Sequence, residues 1–286
     1  MDSIRSIVVH MDASARAEGR LALGQALAQA MQAQLTALYA VAPAAYDAPL
    51  ALAPEAAAAV LPALQDFDRQ RFERARAAFD RVIDRPGKPA AIWEDAGAAP
   101  VHEALAARAL TADLMLFGQH DATDAQTAPD AELIASTLIQ SGTPALVVPH
   151  SGPCDASALT GPSLSVLVAW KPTREASRAV RAGLPWLRRA RHVHLAAEAV
   201  ADDGEGWPGL QALRAWLLLH GVRGELHEHA LGRASPGEML LSMAADVSAG
   251  LLVMGCFGHS RARELVLGGA SRTVLRAMTL PTLMAH

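Results

Sequence analysis

The residues with the clearest potential for chemistry are glycines that lie near the end of the chain. Gly255, Gly258 and Gly268 follow the spacing Gly-x2-Gly-x9-Gly, with a short apolar run before them and a helical pattern after them. Glycine has no Cβ, so backbone N–H groups can approach a phosphate closely, and the N-terminus of a helix favours an anion. Ser271 adds a hydroxyl donor and Arg272 adds positive charge. The spacing therefore predicts a site for a phosphate or another anion.

This glycine-rich loop lies in the second copy of an internal repeat. The two copies open with the similar stretches 6–14 and 165–173. Each copy closes with an apolar run that ends in glycine and is followed 26 residues later by proline, from Gly118 to Pro144 and from Gly255 to Pro281. A long repeat of this kind indicates two similar structural units. The sequence predicts domains over 1–150 and 163–286, joined by a linker at 151–162 that is rich in turn-forming residues.

Short apolar runs alternate with helical patterns in both halves. Short continuous apolar runs are typical of a parallel sheet covered on both faces, and the alternation predicts right-handed βαβ crossovers. Ser14 and Thr173 are the expected N-caps of the first helix in each half. The predicted fold class is α/β, with two tandem, doubly wound, Rossmann-like domains. The predicted strands are 5–11, 35–41, 89–94, 113–118, 145–149, 164–170, 191–198, 223–230, 249–255 and 282–286, and the predicted helices are 14–33, 60–84, 100–110, 130–141, 173–189, 207–220, 236–247 and 269–278.

Composition excludes several classes of protein. The 286 residues are 51% apolar and 19% charged with a net charge of −4, which argues against disorder and against nucleic acid as a partner. Lys88 and Lys171 are the only lysines, and neither completes a P-loop motif. No stretch has the pattern of a signal peptide or a membrane span, so we expect a cytoplasmic protein without a membrane partner. Cys154 and Cys256 are expected to be reduced thiols.

The glycine loop resembles the nucleotide loop of the universal stress protein family. The resemblance extends over 251–286, includes the stretches 259–261 and 264–269, and is supported by the strand and turn at 165–178. The repeat resembles the tandem members, so the resemblance covers nearly the whole chain, although it is weaker in the first half. It implies one five-stranded parallel sheet per domain, of the adenine nucleotide alpha hydrolase-like type, and pairing of the domains around a pseudo-two-fold axis. Some members of the family bind ATP or a related nucleotide, and others do not.

The two halves depart from the family pattern in opposite ways. The acid that ends the first strand in nucleotide-binding members is present as Asp12 in the first half, whereas Lys171 takes its place in the second. The first half lacks the glycines, because Asp121 stands where the second half has Gly258, and Ala131 and Glu132 stand at its other two glycines. These acids, with Asp124 and Asp130, would repel a triphosphate, so we predict no phosphate site there. The predicted nucleotide-binding residues of the second half are Gly255, Gly258, Gly268, Gly269, Ala270, Ser271 and Lys171.

Three interpretations of the second loop remain open. The loop binds ATP or AMP, with Mg²⁺, or it is an inherited turn that binds nothing, or it binds another anion. Where family members have Ser or Thr after the third glycine, this chain has Gly269, with Ser271 two residues later. Arg261 and Arg263 would add to the positive potential of the loop.

Other polar clusters are weaker candidates for a site. His10 and Asp12 share one face of a predicted strand, and a hydrogen-bonded structural pair is the simplest interpretation. His227 and His229, with Glu225 and Glu228 nearby, suggest a zinc site, but the spacing supplies no third ligand, and no metal site is predicted. The amphipathic helix 60–84 is expected to cover the core, with a lid or a partner-binding face as the alternative.

The sequence shows no catalytic motif, so we expect no dedicated enzyme and at most slow ATP hydrolysis. The resemblance implies a regulatory module of the stress response that binds a nucleotide or an unidentified protein partner. The two domains are expected to form an intramolecular pseudo-dimer, and a homodimer is an option. The alternatives are an interaction scaffold without a small ligand and, third, a weak nucleotidase or metal-dependent hydrolase.

Overall fold

Ten strands form one continuous sheet in a computed structural model of the protein, in the order β3-β2-β1-β4-β5-β10-β9-β6-β7-β8. The structure describes residues 4–44, 54–84, 90–124, 130–152, 156–198, 208–229, 235–256 and 269–286. The strands are β1 Ser6–Met11, β2 Gln34–Tyr39, β3 Ala91–Asp95, β4 Leu114–Gly118, β5 Ala145–Val148, β6 Ser165–Trp170, β7 His192–Glu198, β8 Glu225–His229, β9 Leu251–Gly255 and β10 Thr282–Ala285. The helices are α1 Ala17–Met31, α2 Pro54–Ile83, α3 Val101–Ala109, α4 Ala131–Ser141, α5 Ser157–Thr160, α6 Arg174–Leu187, α7 Pro208–Leu219, α8 Pro236–Asp246 and α9 Gly269–Ala277.

The strand order has the same pattern in the two halves, β1–β5 and β6–β10. Within each half the strands are parallel, with the first strand between the second and the fourth, as in a doubly wound sheet. The predicted α/β fold class is therefore confirmed. Strands such as β4, in which all five residues are buried, explain why the continuous apolar runs were informative.

The halves join through an antiparallel pairing of their last strands, β5 and β10. Leu146 faces Leu283, and the flanking pairs are Val147 with Thr282 and Ala145 with Met284. Leu146 and Leu283 are equivalent positions of the repeat, so an approximate two-fold axis passes between them. The association inside the chain is therefore made edge to edge by backbone hydrogen bonds.

Helices cover both faces of the sheet in each half. Residues of α1 and α2, such as Leu21 and Phe79, pack with Ile7 and Val9 on one face. Residues of α3 and α4, such as Leu105, pack with Val8 on the other face. Alternate residues of β1 therefore belong to different cores, as strand geometry requires.

Two helices begin three or more residues away from their predicted starts, and one short helix was not predicted. Helix α1 begins at Ala17, and its N-cap is Arg16 without a side-chain cap, so the prediction of Ser14 as a cap is wrong. Thr173 does cap α6, because its hydroxyl accepts from the Ala176 N–H at 3.3 Å. Helix α2 begins at Pro54, six residues before the predicted start, and the short helix α5 lies within the predicted linker. Of the helices in the described ranges, none has the length and apolar character that a bilayer span requires.

Candidate functional site

Each half contains a point where neighbouring central strands send their connections to opposite faces of the sheet. We call the carboxyl ends of β1 and β4 the first switch point, and the carboxyl ends of β6 and β9 the second switch point. Ligands of open α/β sheets bind in the crevice at such points. The register places Ala169 opposite Met254, so Lys171 and Gly255 lie together at the second switch point.

The first switch point is occupied by a buried ion pair. Arg20 Nη2 lies 2.9 Å from Asp12 Oδ1, and both side chains are almost fully buried. This nitrogen has no directed hydrogen bond among the described residues, so the contact is electrostatic. The Ser14 N–H and hydroxyl both donate to Asp12 Oδ1, at 3.1 and 2.5 Å. The Ser14 hydroxyl is thus hydrogen-bonded to the Asp12 carboxylate, which explains why it does not cap α1.

The pKa of Asp12 is lowered even though the group is buried. Burial alone would raise its pKa, but the Arg20 guanidinium and the hydrogen bond from Ser14 outweigh that effect. Asp12 is therefore ionised and is already neutralised by its own chain. A ribose or base that needs this carboxylate as a partner would have to compete with Arg20.

His10 lies behind this pair and is neutral. Its Nε2 donates to the Ala40 carbonyl at 2.8 Å, while the Arg20 Nε–H donates to the His10 carbonyl at 2.9 Å. Burial lowers the pKa of His10 to about 4, although Asp12 acts in the opposite direction. The interpretation of His10 and Asp12 as a hydrogen-bonded pair is therefore wrong: His10 Nε2 bonds to Ala40, its Nδ1 has no hydrogen-bond partner among the described residues, and it interacts with Asp12 only electrostatically.

Gly118, at the end of β4, makes room for the Arg20 side chain. A Cβ at this position would collide with Nη1 of Arg20 and would lie 3.3 Å from its Cζ. Arg20 thus fills the space above the first switch point. A cleft of about 260 Å³ remains beside it, lined in part by Arg16, Gln119 and His150.

The second switch point has no equivalent ion pair. Counted by the repeat, Lys171 replaces Asp12 and Ala179 replaces Arg20; Lys171 is exposed and Ala179 is buried. The backbone of α6 takes up the space instead. A Cβ on Gly255 would lie 2.8 Å from Ala176 Cα and closer still to its nitrogen. Gly255 is therefore required for helix packing, whatever else it does.

The N-terminus of α6 carries its own acid. Arg174 Nε donates to Glu175 Oε1 at 2.6 Å, and Glu175 is buried. Burial alone would raise the pKa of Glu175, but the hydrogen bonds from Arg174 and the backbone lower it.

Burial, with a smaller effect from Glu175, raises the pKa of the neighbouring Cys256 thiol well above its usual range. Cys256 is a free, buried cysteine, as predicted; Cys154 lies outside the described residues.

The N-termini of the equivalent helices α4 and α9 differ in charge. Asp130 caps α4 by accepting the Leu133 N–H at 2.8 Å, and Glu132 lies in its first turn. Helix α9 begins at the exposed Gly269 without an acidic residue in its first turn, and a Cβ on Gly269 would meet no atom of the described residues within 4 Å. An anion is therefore disfavoured at α4 and favoured at α9.

The described part of the predicted nucleotide loop lies at two places. Gly255 ends β9, and Gly269, Ala270 and Ser271 form the first turn of α9, with Ser271 buried. Gly258 and Gly268 lie outside the described residues, as do the arginines Arg261 and Arg263. The phosphate-binding role of these residues remains a prediction.

A larger cleft of about 650 Å³ lies where the halves meet. Asp121, Asp130 and Glu132 line it from the first half, and Arg272 and Arg276 line it from α9. The acids that were predicted to repel a triphosphate therefore face cations of the other half. Arg272 was predicted only to add positive charge to the loop, and Arg276 was not predicted to lie near a site.

Sequence reasoning also missed Arg20 and Gln119. Gln119 Nε2 donates to the Leu275 carbonyl of the other half at 3.0 Å, and its Oε1 accepts from the His150 N–H at 2.9 Å and from the His150 ring at 2.8 Å. Because Gln119 Nε2 donates to Leu275, the atom that faces the His150 ring is the amide oxygen, which can only accept a hydrogen bond. His150 Nδ1 therefore carries the proton. A signal for Arg20 was present, since a charged residue on the apolar face of α1 needs a buried partner. Gln119 gave no signal, because its partners are distant in sequence.

Comparisons with known proteins place this geometry in a family. Residues 158–286 match the model of the Universal stress protein family. A universal stress protein from Archaeoglobus fulgidus superimposes with a TM-score of 0.65 at 13% identity, covering 98% of this chain and 96% of its own. A putative universal stress protein from Pseudomonas aeruginosa UCBPP-PA14 gives 0.55 at 14% identity, with 99% and 93% covered.

A protein of unknown function from Pseudomonas aeruginosa PAO1 also has this fold, with a TM-score of 0.55 at 14% identity over 99% of this chain and 92% of its own. A comparison with curated protein sequences found no match. At these identities the structural matches establish the fold alone, whereas the family model establishes the relationship of the second half. Residues 158–286 thus match the universal stress protein family, and the whole chain, with its two similar halves, has the fold of the Archaeoglobus fulgidus universal stress protein.

Proposed function

We propose that the protein is a nucleotide-responsive regulatory module of the stress response with one adenine nucleotide site, in its second half. The observation that carries this proposal is the contrast between the N-termini of α4 and α9. Asp130 and Glu132 occupy the first, whereas the second begins at the exposed Gly269, where a Cβ would meet none of the described atoms within 4 Å, and Arg272 follows in the same helix. A nucleotide phosphate at α9 would meet backbone N–H groups, the positive end of the helix dipole and a cation.

The first switch point supports a single site rather than two. Arg20 and Asp12 neutralise each other where a nucleoside would lie, and the Arg20 side chain occupies the space that a Cβ on residue 118 would need. A nucleotide there would have to displace a buried ion pair, which is costly. We therefore propose that the first half has a supporting role and that ATP or AMP, with Mg²⁺, binds only to the second.

A thermal-shift experiment tests the proposal. ATP with Mg²⁺, AMP and a chelated control are added to the full chain, and the melting temperature is measured. A ligand that binds only the native state raises that temperature by mass action. The matched variants are Gly258→Asp, which gives the second loop the acid of the first, and Asp121→Gly, which does the reverse in the first loop.

The expected result is a concentration-dependent rise with at least one nucleotide. Gly258→Asp should abolish the rise, and Asp121→Gly should retain it. A flat response of the wild-type protein at millimolar nucleotide would overturn the proposal. A response lost in Asp121→Gly but retained in Gly258→Asp would place the site in the first half and would also overturn it.

An interaction scaffold is the second candidate, and helix α2 favours it. Val60, Leu61 and Phe67 are 40%, 45% and 36% exposed on the part of this long helix that leads into the core-covering segment. Exposed apolar residues grouped in this way are typical of a protein–protein contact. A flat nucleotide response, together with loss of a partner on Leu61→Glu/Phe67→Glu but not on Leu110→Glu elsewhere on the surface, would support this role instead.

A further inference from the structure

We propose that the protein binds a divalent transition-metal ion, of the zinc or nickel type, through His192, His194 and Glu225. These residues lie at the amino ends of β7 and β8, on the outer edge of the sheet. The candidate nucleotide site lies at the carboxyl ends of the strands, so the two sites are separate and this proposal does not depend on the other.

The backbone register brings the three residues to one place. His192 and His194 are two apart on β7, so their side chains lie on the same face. His194 is the direct register partner of Glu225 on the neighbouring parallel strand. In the sequence, His227 and His229 suggested a zinc site, but none was predicted because the spacing supplied no third ligand. The side chains of His227 and His229 lie outside the described part of the chain. The strand pairing shows that a second His-x-His pair, His192 and His194 on β7, lies next to β8.

The side chains already converge on one carboxylate. His192 Nδ1 lies 3.6 Å from Glu225 Oε1, and His194 Nδ1 lies 3.6 Å from Glu225 Oε2. The two rings are stacked, with centroids 6.2 Å apart and planes 19° from parallel. Both imidazoles therefore direct the same nitrogen toward the same negative group. Two imidazole nitrogens and a carboxylate oxygen are a donor set that suits zinc, nickel and copper.

An ion requires a small rearrangement of this cluster. Within the described ranges, no group of three His, Cys, Asp or Glu side chains, this one included, is arranged so that it could hold a metal ion without moving. Here each carboxylate oxygen of Glu225 lies 3.6 Å from one imidazole Nδ1, so the carboxylate occupies the space that an ion bound by both nitrogens would need. The His192 and Glu225 side chains are 49% and 61% exposed, so they can turn with little loss of packing, whereas His194, at 11%, is held in place. The ion would take the place between the imidazoles, and Glu225 would swing to become its third protein ligand, with water completing the shell.

The cluster also differs from an ordinary surface pair. His102 Nε2 lies 3.8 Å from Glu103 on α3, where one imidazole meets one carboxylate and both are exposed. That pair offers two ligands on adjacent residues, whereas the β7–β8 cluster offers three on two hydrogen-bonded strands. His102 is therefore a matched control for nonspecific binding to an exposed histidine.

The test is a calorimetric titration of the chelator-stripped full chain with Zn²⁺ and with Ni²⁺ at neutral pH. The variants are His192→Ala, Glu225→Gln and the control His102→Ala, each checked for an unchanged circular dichroism spectrum. The proposal expects one ion per chain in the wild type and in His102→Ala. It expects binding weaker by about tenfold or more in His192→Ala and Glu225→Gln, since even the loss of an outer-shell partner costs that much.

X-ray absorption on the zinc-loaded protein gives an independent readout. Histidine nitrogens at about 2.0–2.1 Å are expected, and their number should fall in His192→Ala. Wild-type affinity in His192→Ala, or no binding by the wild-type chain, would overturn the proposal. Equal weakening in His102→Ala would show dispersed surface binding and would overturn it as well.

Discussion

The two switch points have the same strand order, but only the first contains a buried ion pair. At the first, Asp12 and Arg20 form a buried ion pair, and Gly118 makes room for the arginine. At the second, Lys171 is exposed, Ala179 is buried, and Gly255 makes room for the backbone of α6. A glycine thus ends the fourth strand of each half for two different packing reasons. Similar glycines in a repeat therefore need not indicate similar ligand sites.

The contrast also shows how one copy of a fold closes its crevice without changing topology. Asp12 directly follows β1 and Arg20 lies near the start of α1, so the pair forms between two consecutive elements of the chain. In the second half, the exposed Lys171 stands at the position of Asp12 and the small Ala179 at that of Arg20, so no such ion pair can form. Because both members differ together, neither half retains an unpaired buried charge at these positions, which would be unstable.

The largest effect is expected from breaking the ion pair on one side only. Arg20→Met should lower the free energy of unfolding by about 3–5 kcal/mol, because it leaves the Asp12 carboxylate buried and unpaired. The double variant Asp12→Asn/Arg20→Met should recover part of this loss, since the introduced amide is uncharged and retains an oxygen for the Ser14 donors. Urea denaturation of the three proteins measures both effects.

The equivalent position of the second half gives the control. Lys171→Ala should change the free energy of unfolding by no more than about 0.5 kcal/mol, because the side chain is exposed. If Arg20→Met costs as little as Lys171→Ala, the buried pair does not distinguish the two switch points energetically.

A smaller effect is expected from His10 on acidification. The unfolded chain protonates His10 near its ordinary pKa of 6.5, whereas the folded protein does so only near 4. The unfolded state therefore binds more protons between these values, so stability is lost as the pH falls through this window. The loss is about 3 kcal/mol for the group as a whole. The lowered pKa of Asp12 acts below its ordinary value of 3.8 and adds a further loss only there.

Urea denaturation at several pH values between 7 and about 4 measures the His10 effect. The wild-type protein should lose stability more steeply than His10→Gln, which retains a donor for the Ala40 carbonyl. Parallel curves for the wild type and His10→Gln would mean that His10 is not held neutral by its burial.

The smallest effects are expected from two glycines of the predicted nucleotide loop. Gly255→Ala should cost about 1–3 kcal/mol, because its Cβ would press on the backbone at Ala176. Gly269→Ala should be neutral or stabilise by up to about 1 kcal/mol, because the residue is helical and exposed and a Cβ would meet no atom of the described part of the chain within 4 Å. Thermal denaturation of the two variants measures the difference.

The same two variants sharpen the functional comparison. If backbone at Gly269 approaches a phosphate, Gly269→Ala should keep its stability but reduce the nucleotide-induced rise in melting temperature. A normal rise in Gly269→Ala would argue that the ligand does not approach this residue. Equal loss of stability in both variants would contradict the packing role assigned to Gly255.

Much of the fold could be predicted from local pattern. Each of the ten predicted strands overlaps an observed one, because parallel strands buried on both faces are continuous apolar runs such as Leu251–Gly255. The start of α1 was mispredicted because Ser14, a good cap by residue type, bonds instead to Asp12. The N-terminal extension of α2 to Pro54 was missed because its alanine-rich start lacks a clear apolar face.

The sequence by itself determined the repeat, the α/β class and the charge difference between the helices α4 and α9, since these depend on residue type and spacing. Only the tertiary structure decided that Arg20 closes the first switch point, that Gly255 packs against α6, and that His192 and His194 meet Glu225. These contacts join different elements of the chain. Which side chains meet there depends on which strands become neighbours and on how the helices dock, and neither can be read from the residue types of one element alone.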